Sequence, residues 1–175
     1  MSKKLLILLL SLSLSIFVLS CGKENEGPTG PGTGVSEFEV LRSSLDSYVS
    51  SSKAPVIKAQ DLFDNLNDGD PSNDPVVLSV RASGDYAKGH IPGAINIPWR
   101  EIAKEENLKK LPTDRKIVVY CYTGHTGAVV TTALNMLGYD AVNLKFGMMS
   151  WTQDPNVRVK GAFSEETDSH DFPVE

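Results

Sequence analysis

Residues 118–130, "VVYCYTGHTGAVV", begin as an apolar run, stop at Cys121, pass through a polar turn holding Gly124 and Gly127, and resume as a second apolar segment. The approach to the cysteine, "KIVVY" (116–120), shows no polar alternation, which is the pattern of a strand covered on both faces in a parallel sheet. Beyond the turn, "GAVVTTALNML" (127–137) contains the β-branched run Val129 to Thr132. Its length and the Gly138 that follows nonetheless predict a helix stopped by a glycine cap. "DAVNL" (140–144) then returns as a strand. Strand, turn, helix and strand make a βαβ unit, and Cys121 falls at the carboxyl end of its first strand, where parallel sheets bind their ligands.

Working outward, the same alternation recurs. Phe38, Leu41, Leu45, Tyr48 and Val49 fall at helical spacing and predict an amphipathic helix leading into the domain. A short strand is expected at Val56 to Lys58, then a helix over "AQDLFDNL" that buries Leu62, Phe63 and Leu66. "NDGDPSNDP" reads as a loop, "VVLSV" as a buried strand, "ASGDYAKG" as one helical turn and "AINIP" as a strand. "REIAKEENLKKL" reads as a helix after Pro98, and "MMSW" as the start of a last short helix. The repetition predicts a single α/β domain with a mostly parallel sheet.

The N-terminus reads differently. Met1-Ser2-Lys3-Lys4 precedes an apolar core from Leu5 to Leu19, and small residues follow at Ser20-Cys21-Gly22, the layout of a secretory signal peptide. Val18-Leu19-Ser20-Cys21 resembles a bacterial lipobox, which implies a lipidated Cys21 and an exported lipoprotein anchored in the cell envelope, facing the periplasm or the exterior. A plain secretory signal or an uncleaved anchor is the alternative. "GKENEGPTGPGTGVS" is a polar Gly/Pro-rich tether. The expected organisation is a signal peptide (1–20), tether (21–36), leading helix (37–53), folded domain (54–163) and acidic tail (164–175). With two cysteines in the chain, lipid on Cys21 leaves Cys121 without an intramolecular partner. The net charge of -5 offers no basic stripe, so nucleic acid is not expected as a partner.

The turn after Cys121 has its own chemistry. Gly124 and Gly127 let the backbone curl and direct successive N–H groups inward as an anion-binding nest. The helix that follows points its positive end at the same place. Both effects favour a thiolate, the reactive form of a catalytic cysteine. Thr123, His125 and Thr126 could add hydrogen bonds to an anion above the sulfur.

At this point the sequence resembles the rhodanese-like family. "VVLSVRASGDYAKGHIPGAINIP" is similar to the family's first signature, and "IVVYCYTGHTG" with "LGYDAVNLKFGMMSW" to its active-site loop, helix and closing segment. The resemblance covers about Pro55 to Phe163. It implies a doubly wound domain with helices on both faces, in which the loop cysteine takes sulfane sulfur from a small anionic donor, thiosulfate or polysulfide. The resulting persulfide passes its sulfur to a thiol or cyanide-like acceptor, with no cofactor. Carried over by position, Cys121 is the sulfur carrier, Tyr122, Thr123, Gly124, His125, Thr126 and Gly127 form the cradle, and Arg81 is a basic substrate-binding residue. Arg81 has a structural reading too, pairing with Asp85.

Two positions depart from the family pattern. Ser79 stands where an Asp before the hydrophobe-Arg pair is common, and His125 stands where the loop often carries a cation. These keep open a second function, a catalytically weak binding or redox-sensing lipoprotein. A cysteine phosphatase needs an arginine six positions after the cysteine, and position 127 is glycine. His90 in "GHIPGA" is read as a turn tie. No metal site is expected, because His90, Cys121 and His125 lack paired ligand spacing, and the loop from Asp68 to Asp74 lacks the glycine and glutamate of a calcium loop.

Overall fold

The computed structural model describes residues 35–159 and 172–173. The signal peptide, Cys21, nearly all of the tether and all but two residues of the acidic tail lie outside the described residues.

Five short strands form one sheet: β1 (Val56–Ile57), β2 (Val76–Ser79), β3 (Ile95–Asn96), β4 (Ile117–Tyr120) and β5 (Ala141–Leu144). Their spatial order is β1-β5-β4-β2-β3, and every pairing is parallel. β4 sits in the middle. Because side chains alternate along a strand, Ile117, Val119 and Cys121 face one side, packed with Leu78, Val130 and Leu134. Val118 and Tyr120 face the other side, with Leu62, Leu144 and Met148. All four β4 residues are fully buried, which accounts for the unalternated apolar run.

The helices are α1 (Glu37–Val49), α2 (Ala59–Leu66), α3 (Ser83–Ala87), α4 (Glu105–Leu108), α5 (His125–Met136), α6 (Met148–Trp151) and α7 (Pro155–Arg158). α5 wins over its β-branched run because Val130, Thr131 and Leu134 bury one face against the sheet. Its C-terminus closes as a Schellman turn: Tyr139 N–H donates to Leu134 O and Gly138 N–H to Asn135 O, both at 3.0 Å. Gly138 has φ +89°, the left-handed conformation this cap requires.

Five expectations are corrected. The helix expected over residues 100–111 is split into a 3₁₀ turn (Trp99–Glu101) and α4. The buried Asn107 amide donates to Glu101 O at 2.9 Å across the break. α1 forms as expected and lies against α5. It buries none of its residues, and Phe38, Leu41, Leu45 and Val49 stay exposed. In α2, Leu62 is buried but Phe63 is half exposed and packs on the Trp151 ring at 6.0 Å. α5 begins two residues before Gly127, and α7, capped by Asp154 and opened by Pro155, was not foreseen.

Candidate active site

Cys121 is the residue immediately after β4, at the carboxyl edge of the sheet, where the loops following β2, β3 and β4 converge. Its side chain is 2% exposed. The chain turns back at Gly124, whose φ of +93° lets its N–H face the cysteine and donate to Sγ at 3.1 Å. Gly124 is also the N-cap of α5, a twelve-residue helix, so the positive end of that helix is directed at the same turn.

The cradle is clasped from the segment after β5. Met148 N–H donates to Cys121 O at 2.9 Å and Met149 N–H to Tyr122 O at 3.1 Å. The buried Asn143 donates through Nδ2 to Gly124 O at 3.1 Å. Two glycines permit this closeness. A Cβ on Gly147 would stand 2.6 Å from Cys121 O and 2.9 Å from Gly124 N, and a Cβ on Gly127 would collide with Asn143 Oδ1. The collision at Gly127 removes room for the arginine that a cysteine phosphatase places there.

Of the remaining loop residues, Tyr122 and Thr126 share a cleft with Cys121, whereas Thr123 and His125 pair with each other and are not part of its lining. Thr123 Oγ1 and His125 Nδ1 hydrogen-bond at 2.8 Å, and His125 is exposed. Tyr122 and Thr126 line a cavity of about 530 Å³ with Cys121 at its wall. The Tyr122 hydroxyl donates to Asp85 Oδ2 at 2.7 Å and accepts from Ala82 N–H at 3.1 Å. That hydrogen bond, with a second from Lys88, holds the Asp85 carboxyl below the usual carboxylate range. Burial, and then the bond to Asp85, push the Tyr122 phenol upward.

Arg81 does not join the cradle. It is fully buried, and its guanidinium donates to Val157 O at 2.8 Å, to Asp85 O at 3.1 Å and to Gly89 O. It ties the segment after β2 to α7, so the reading of Arg81 as a substrate contact is corrected. Its expected pairing with Asp85 exists through the backbone carbonyl, while the Asp85 carboxylate takes Tyr122 and Lys88. His90 bonds through Nδ1 to Tyr86 O at 3.1 Å and stacks on the Tyr86 ring at 3.9 Å. In the acidic loop Asp68 accepts from Asp70 N–H at 2.7 Å and Asn73 Nδ2 at 2.9 Å, turning inward on itself. No group of three or more His, Cys, Asp or Glu suited to a metal ion occurs among the described residues.

Two contributions escaped the sequence reading. Asn143 was passed over as one residue of a strand, although a lone amide in an apolar run is itself a signal of a buried hydrogen bond. Trp99 and Arg100, which line the cavity from the turn after β3, were hidden in a stretch read as plain helix.

A buried cysteine whose sulfur accepts from the Gly124 N–H at the carboxyl edge of a parallel sheet defines an α/β domain of the loop-cysteine class. The chain belongs to the rhodanese-like domain family, whose model matches residues 58–154. It is 34% identical over 109 residues to a probable adenylyltransferase/sulfurtransferase, MoeZ, of Mycobacterium tuberculosis, covering 62% of this chain and 27% of that protein. A sulfurtransferase of Allochromatium vinosum is 29% identical over 98 residues, covering 55% of this chain and 87% of the relative. The crystal structure of a rhodanese-like domain protein from Staphylococcus aureus superposes with a TM-score of 0.52 at 29% identity, over 58% of this chain and 94% of that one. The match thus spans about a quarter of the first relative and most of the other two.

Proposed function

We propose that the protein is a sulfurtransferase that carries sulfane sulfur on Cys121. The observation that bears most weight is the Gly124 N–H donating to Sγ at 3.1 Å within a cradle open to a cavity. The Cys121 thiolate attacks the outer sulfur of a small anionic donor such as thiosulfate or polysulfide. A new S–S bond forms on Cys121, the donor's S–S bond breaks, and sulfite or the shortened polysulfide leaves with the electron pair. A thiol or cyanide-like acceptor then attacks the outer sulfur of the persulfide and releases the Cys121 thiolate. The Gly124 N–H and the positive end of α5 stabilise the negative charge on Sγ and on the persulfide. Tyr122 and Thr126 line the cleft that receives the anion, and Gly124 and Gly127 give the backbone its shape.

The family match and the sulfurtransferase relatives support the reading. The 2% exposure of Cys121 favours a second one, a binding or redox-sensing module. Incubating the purified protein with thiosulfate or polysulfide and weighing it intact separates them. A gain of one sulfur atom on the native protein and none on Cys121→Ser is expected. No adduct with a reduced, reactive Cys121 would sink the carrier reading. We further propose that the mature chain is anchored in the cell envelope by lipid on Cys21, a reading supported by the Val18 to Cys21 sequence.

A further inference from the structure

The cysteine loop, Tyr122 to Gly127, contains no lysine or arginine. The turn after β3 brings a cation to it from elsewhere in the chain. Arg100 lines the same cavity as Cys121, and its guanidinium lies 4.4 Å over the Trp99 ring. The turn that carries both is pinned to the end of β2, because Trp99 N–H donates to Val80 O at 3.2 Å. No carboxylate among the described residues pairs with Arg100. Glu101, which also lines the cavity, is engaged by Lys104 at 3.7 Å. The contact with the Trp99 ring positions the guanidinium, whose N–H groups can pair with a carboxylate.

The cavity is not polar throughout. Its volume is about 530 Å³, and Val80, Pro98 and Trp99 give it an apolar side. Inorganic oxyanions make no use of an apolar wall. An organic molecule with a carbon body and a carboxylate uses both the wall and Arg100.

We propose that Arg100, held on Trp99, is the specificity residue of this pocket and selects an organic persulfide bearing a carboxylate as the sulfur donor. The inference rests on the sulfurtransferase reading of Cys121. In the transfer the Cys121 thiolate attacks the outer sulfur of RS–SH. The Cys121 S–S bond forms as the RS–S bond breaks, and RS⁻ departs with the bonding pair, leaving Cys121–S–SH. The atoms balance and no outside oxidant or reductant is needed.

The test measures the rate of Cys121 loading on the purified protein by time-resolved intact mass. The donors are glutathione persulfide, which carries carboxylates, cysteamine persulfide, which carries none, and thiosulfate. Native protein is expected to half-saturate at a lower concentration of glutathione persulfide than of either other donor. Arg100→Ala should raise that concentration about tenfold, the scale of one charged hydrogen bond, and should change loading from cysteamine persulfide less than twofold. Arg100→Lys should recover part of the loss. An unchanged glutathione persulfide response in Arg100→Ala, or an equal loss with both persulfides, overturns the assignment. So does tighter saturation of the native protein by thiosulfate. Failure of the native protein to load from any donor overturns the sulfurtransferase reading itself, before any variant is compared.

Discussion

Gly147 combines a φ of +53° with a position from which a Cβ would meet Cys121 O at 2.6 Å. Gly147→Ala must therefore push the cradle away from the sulfur. Misplacement on the order of 1 Å costs about a hundredfold in well-positioned reactions, so sulfur loading should drop by that order while Cys121 remains present and reducible. A loading rate within twofold of native would show that the clasp is dispensable. Asp85 offers a second test at this scale. Its lowered carboxyl value means that the folded state binds a proton less readily than the unfolded chain. The stability it adds is complete above the unfolded value, about 3.9, and is lost as the pH falls through the folded value. Tyr122→Phe removes the largest cause of the shift. The Asp85 carboxyl carbon should then titrate closer to the ordinary range in an NMR pH series, and an unmoved midpoint would contradict the assignment. The position of Cys121 at the end of its strand and the turn at Gly124 were legible because they follow from residue type and local spacing. Arg81 was not, because burial and hydrogen-bond partners decide whether an arginine meets substrate or carbonyls, and Val157 lies 76 residues away.

At the scale of elements, α5 and α1 make opposite predictions. α5 ends in a Schellman turn on Gly138 at φ +89°. No side chain approaches a Cβ there, so Gly138→Ala costs backbone strain alone, about 1–2 kcal/mol. A lower Tm with native sulfur loading is the expected outcome. Phe38 on α1 is 69% exposed, and Phe38→Ser should change stability by no more than about 0.5 kcal/mol in a denaturant melt. A larger loss would reveal burial that the isolated chain does not show. The sequence periodicity located both helices, because helical spacing depends on neighbours within a few residues. It did not say that the α1 stripe stays uncovered, since burial depends on what α5 and the sheet leave free. The same limit explains the split between the 3₁₀ turn and α4. "REIAKEENLKKL" has good helix formers throughout, and the break is set by the Trp99 bond to Val80 and the Asn107 bond to Glu101, contacts that propensity does not encode.

For the whole molecule, the parallel sheet was readable from five strand-like runs alternating with helices and turns, whereas the order β1-β5-β4-β2-β3 was not, because strand neighbours are chosen by tertiary packing. The envelope reading gives a prediction at this scale: Cys21→Ser should move the protein from the membrane fraction to the soluble fraction of cells expressing it. Retention of that variant in the membrane would refute a lipid anchor on Cys21. The strand order has a further result for how the molecule comes into being. β1 pairs only with β5, through Val56 beside Asn143 and Ile57 beside Leu144. β4 gains its second neighbour from that same late strand. A growing chain that has just completed the cysteine strand therefore has a bare β4 edge, an orphaned first strand and no Asn143 or Met148 to clasp the turn. Its thiol meets the surroundings unguarded. The completed sheet and the clasp over the Cys121 turn both depend on β5 and the segment after it, and any truncation before residue 144 forfeits both together.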